Sequence, residues 1–82
     1  MDKQAFELWV LSLIAEDAER RSGNVVWVGN LDTLGDIQVW ACHAGLASSH
    51  EAAWQRIERE LVALGAPRDL IRPHTRFEEL TG

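Results

Sequence analysis

With 82 residues the chain has room for one domain, and folding at this size hides only about 60% of the surface that the unfolded chain exposes. Apolar residues make up 46% and charged residues 26%, the balance of a folded protein rather than a disordered one. The net charge of -5, carried mostly by residues 1–41, disfavours nucleic acid and anionic membranes as general partners.

The first helix is predicted from Asp2, whose carboxylate can accept from the free amides of the first turn, to about Arg21, before Ser22, Gly23 and Asn24. Its centre, residues 5–15 (AFELWVLSLIA), is interrupted only by Glu7 and Ser12. As a helix it offers Phe6, Trp9, Val10, Leu13 and Ile14 on one face, with Leu8 and Leu11 off that face. So much apolar surface must be covered by the rest of the chain or by another molecule. The run is too short for a bilayer, which needs about 20 apolar residues. Asp2, Lys3 and the acidic Glu16, Asp17 and Glu19 also make a poor secretory leader. A single cysteine, Cys42, precludes an internal disulfide and fits a reducing compartment, so a soluble, cytoplasmic protein is expected.

Residues 24–29 (NVVWVG) read as a short strand with Trp27 and Val25 on one face. Residues 29–36 are a loop anchored by Leu31 and Leu34. Residues 37–43 (IQVWACH) support two readings. Alternation of Ile37, Val39 and Ala41 against Gln38, Trp40 and Cys42 gives a strand pairing with the first. Asp36 as a cap, with Ile37, Trp40, Ala41 and Ala44 on one side, gives a helix. The strand is preferred for its β-branched and aromatic centre and for Gly45 soon after. The next helix starts at a capping box of Ser48 and Glu51, repeats Trp54, Ile57, Leu61 and Leu64 along one face, and stops at Gly65, Ala66 and Pro67. A turn carrying Leu70 and Ile71 follows, then a break at Arg72 and Pro73, then a last helical turn capped by Thr75 with Glu78.

The expected fold is therefore α+β in a single domain spanning residues 1–82: helix, strand, strand, helix and a short C-terminal helical turn. The alternative is an all-α bundle in which residues 36–46 are helical.

Chemistry is sparse. Cys42 and His43 are neighbours that a strand points to opposite faces, so they cannot share a proton. Cys42 with His43, His50 and His74 has no zinc-ligand spacing. No phosphate-binding glycine loop or nucleophile elbow occurs. Catalytic residues, cofactors and metals are accordingly not expected. Two features point to contacts instead. Four tryptophans, Trp9, Trp27, Trp40 and Trp54, exceed what a small core readily encloses, which puts Trp27 and Trp40 forward for a contact surface. Arg68, Arg72, His74 and Arg76 form the one basic stripe.

Residues 60–82 (ELVALGAPRDLIRPHTRFEELTG) resemble the end of the first helix and the following loop of acyl carrier proteins. In that family similar text leads into an Asp-Ser-Leu motif whose serine takes phosphopantetheine. No serine follows Thr81 and Gly82 in this sequence, so the resemblance carries neither attachment site nor carrier activity to any residue here.

The functional expectation is a small acidic, non-enzymatic regulator or inhibitor that binds a larger protein through Trp27, Trp40, Arg68, Arg72 and Arg76. A homodimer is expected, because an open hairpin edge and the surplus apolar surface of the first helix both invite a second chain. The alternative function is a dimeric nucleic-acid-binding regulator using the basic stripe.

Overall fold

The computed structural model describes residues 1–20 and 30–82. Among these the protein is all-helical, in the order α1 (Lys3–Arg20), α2 (Leu34–Ala44), α3 (His50–Ala63), a 3-10 turn (Arg68–Leu70) and α4 (Phe77–Thr81). This corrects the α+β expectation. The expected strand over residues 37–43 is the body of α2, and the only extended pairing among the described residues is an isolated antiparallel bridge between Thr33 and Arg76. The expected strand over residues 24–29 lies outside the described residues, as does Trp27.

The chemistry at its two ends explains why residues 34–44 are helical. Thr33 accepts a hydrogen bond from the Asp36 amide at 3.2 Å, while the Asp36 carboxylate accepts from the Thr33 amide at 2.9 Å. That reciprocal box satisfies two donors that a helix start leaves open. At the other end Gly45 adopts a left-handed φ of 81°. Its amide bonds to the Cys42 carbonyl, and the Leu46 amide reaches back to Ala41 at 2.9 Å. This is a Schellman close, and it suits a glycine because no Cβ opposes the positive φ. Leu34, Ile37, Trp40, Ala41 and Ala44 are all buried along the face so created, and β-branched Val39 is left outside. Helical spacing of the large apolar residues therefore overrides the strand preference of individual ones.

α3 packs on α2. Its cap is Ser49, which accepts from the Ala52 amide at 3.1 Å, one residue later than the Ser48 box predicts. Ala53, Ile57 and Leu61 are its buried residues, and Leu64 is partly exposed beyond them. α1 lays Phe6, Trp9 and Leu13 into the same core. Asp2 does cap it, accepting from the Ala5 amide at 3.3 Å.

The C-terminal segment closes over the start of α2. The amides of Leu34 and Gly35 donate to the carbonyls of Thr75 and Pro73 at 3.0 and 2.8 Å, and the Phe77 amide donates to Asp32 at 2.9 Å. Thr75 is thus buried as part of this clasp, and α4 begins after Arg76 without the Thr75 side-chain cap that its sequence suggests. Ile71 and Leu80 seal the core beneath it.

Candidate protein-binding face

Trp40, expected at a contact surface, is 7% exposed and part of the core. Its indole Nε1 has no hydrogen-bond partner among the described residues. Burial follows from its position on the inward side of α2 between Ile37 and Ala41. The strand edge on which half of the homodimer expectation rested falls with the same correction.

Arg68, Arg72 and Arg76 are all exposed. Arg76 is engaged within the chain, meeting Asp32 at 3.1 Å and Glu78 at 3.3 Å. Among the described residues, the stripe that sequence alone shows is therefore reduced to Arg68, Arg72 and His74 as groups with no ion pair.

Cys42 is half-buried on α2, while His43, His50 and His74 are exposed on separate elements. Among the described residues no group of three or more histidine, cysteine or carboxylate side chains converges as a metal site would. No helix among them is long and apolar enough to cross a membrane.

The feature that does stand out is on α1. At about 3.6 residues per turn, Phe6, Trp9, Leu13 and Asp17 form its buried side, and Gln4, Leu8, Leu11, Ala15 and Ala18 line the side opposite. Leu8 is 59% exposed and Leu11 58%, the two most exposed large apolar side chains among the described residues. Leu11 also borders a shallow depression of about 330 Å³ lined by Phe6, Glu7, Val10 and Phe77. A second opening, of about 420 Å³, continues from it along Lys3, Glu78 and Thr81 and shares Phe6, Glu7 and Phe77. The floor is held by aromatic contact, with the Phe6 and Phe77 rings 4.9 Å apart and tilted by 56°.

α1 cannot roll this ridge inward, because a polar network fixes its rotation. The Trp9 indole donates to Glu60 at 2.8 Å, Arg56 donates to Glu60 at 2.7 Å, and Arg56 reaches Glu16 at 2.6 Å. The hydrogen bond to Glu16, joined by the one to Glu60, raises the Arg56 pKa above its already high ordinary value. Arg20 adds a bond from its guanidinium to the Ala44 carbonyl at 2.9 Å. Sequence reasoning sees Leu8 and Leu11 fall off the main face. It does not put them forward as the site, although their position off the main apolar face is the available signal.

The chain matches no family model, and neither curated proteins nor solved structures include one that is significantly similar to it.

Proposed function

We propose that the protein is a non-enzymatic protein-binding regulator that meets its partner through the outer side of α1. The observation that carries this reading is the exposure of Leu8 and Leu11 on a helix side turned away from the core. Each leucine leaves more than half its surface in water, and covering both contributes about 1–2 kcal/mol apiece. A paired ridge running into an aromatic-floored depression is the kind of patch that marks a contact site. The reading keeps the expected class of function and moves it from Trp40 and the arginines to α1.

A nucleic-acid role has less behind it. Arg76 is neutralised by two carboxylates, and the net charge of -5 opposes a phosphate backbone.

The test is site-specific photo-crosslinking in cells that naturally make the protein. A crosslinking amino acid at position 8 or 11 is expected to yield a discrete protein adduct, while the same group at exposed Glu58 on α3 yields none. Identical adduct patterns at all three positions, or none at positions 8 and 11, defeat the reading.

A further inference from the structure

We propose that the partner of this face is a basic amphipathic helix, which lays its apolar side chains over Leu8 and Leu11 and sets one of them between Phe6, Val10 and Phe77. The inference rests on the protein-binding reading above and adds the chemistry of the partner.

The pattern along the ridge argues for a helix. Gln4, Leu8, Leu11, Ala15 and Ala18 recur at alternating spacings of four and three, the spacing at which one helix meets another along its length. None of the five is charged. α1 is 18 residues long, which offers about five turns of contact. The depression is open to solvent and of a size to take a side chain, whereas enclosed small-molecule sites cover most of their ligand.

Charge argues for a basic partner. The charged residues flanking the ridge are Glu7 on one side and Glu19 on the other, both exposed. Neither forms an ion pair among the described residues. Of the helix's cations, Lys3 lies at the N-terminal end of the ridge, where it lines the second opening with Glu7 and Glu78, and Arg20 is turned onto Ala44 at the other end, so the stretch between them carries no positive side chain. A second copy of this chain would bring the same two glutamates and set -5 against -5. A helix with lysine or arginine beside its apolar stripe meets attraction on both flanks instead.

The full chain is titrated, by fluorescence polarisation, into three labelled 18-residue peptides. One carries leucines at helical spacing among lysines, the second has glutamate in place of every lysine, and the third is the chain's own residues 3–20. The lysine peptide is expected to bind at least about tenfold more tightly than the other two, and to weaken as salt rises. The double variant Leu8→Gln/Leu11→Gln, checked for unchanged helicity by circular dichroism, is expected to lose about tenfold in affinity for the lysine peptide. Glu7→Lys/Glu19→Lys shifts the preference toward the glutamate peptide.

Equal or tighter binding of the glutamate peptide, or of the chain's own helix, overturns the proposal. So does lysine-peptide binding that ignores the Gln variant, because bulk acidity then accounts for it. A crosslinked protein adduct from position 8 or 11 alongside failure of the lysine peptide discards the partner chemistry and leaves the protein-binding reading standing.

Discussion

Single positions show where the fold is least forgiving. Trp40 sits inside with an indole N–H that finds no partner among the described residues, so two effects oppose each other when it is replaced. Removing the whole side chain leaves a cavity, and Trp40→Ala is expected to cost about 3–5 kcal/mol in urea unfolding. Trp40→Phe is expected to cost much less, because it also removes a buried donor whose burial without a partner costs about 1–3 kcal/mol. Equal losses from both variants would mean that the indole N–H is satisfied. Gly35 is constrained by space: a Cβ there would lie 2.8 Å from the Pro73 carbonyl oxygen, a backbone atom that cannot swing aside. Gly35→Ala is expected to destabilise by about 1–3 kcal/mol, read by the same unfolding curve. Asp36 carries a pH dependence. The amides of Thr33 and then Asp32 donate to its carboxylate and hold its pKa below the ordinary carboxylate range. A lowered folded-state pKa contributes stability above the unfolded value of about 3.9, and that contribution is lost as pH falls through the folded value. Asp36→Asn should therefore be less stable than the parent at neutral pH and show a shallower loss of stability as pH falls below about 4.

At the level of elements, the orientation of α1 depends on Arg56 as much as on its apolar residues. Arg56 bridges Glu16 of α1 and Glu60 of α3, and Glu60 in turn accepts from Trp9. Arg56→Met keeps the length of the side chain and removes the bridge. Its expected cost is about 1–2 kcal/mol, with a shift of the Trp9 indole N–H resonance in NMR, assigned by its loss in Trp9→Phe. An indole resonance and stability both unchanged would show that apolar packing alone sets the helix's rotation. These elements were unequally legible. Phe6, Trp9 and Leu13 announce the buried side of α1, and Ile57 with Leu61 announces that of α3, because both patterns repeat over several turns. Residues 37–43 allow two periods, since seven residues fit alternation and a helix face equally well. The deciding sign was just upstream, where Thr33 stands three residues before Asp36 in the spacing of a capping box. Likewise Ser48 and Ser49 are adjacent candidates for one cap, and only the Ala52 amide reveals which is used. The candidate site was hidden for a different reason: exposure is a property of the packed molecule, and Leu8 and Trp40 look equally apolar on paper.

On the scale of the whole molecule, the core buries Leu34, Ile37, Leu61 and Leu80 almost completely yet leaves Leu8 and Leu11 outside. Because those two positions lie in water, Leu8→Gln/Leu11→Gln is expected to leave unfolding within about 0.5 kcal/mol of the parent. A much larger loss would show that the ridge is internal to the fold and not a contact surface. The clasp between residues 32–35 and 73–77 has a different consequence, for the order in which the molecule assembles. Its hydrogen bonds join positions some forty residues apart, a costly loop to close early, whereas α2 and α3 are neighbours in sequence. The helical hairpin is free to form first and the tail to latch onto it last, so the amides of Leu34 and Gly35 should exchange with solvent through a lower-energy opening than those of Ile57 or Leu61. A chain shortened at residue 71 would forfeit more than a loose end: it would strip the opening turn of α2 of its acceptors and let water reach Leu34, at the centre of the fold.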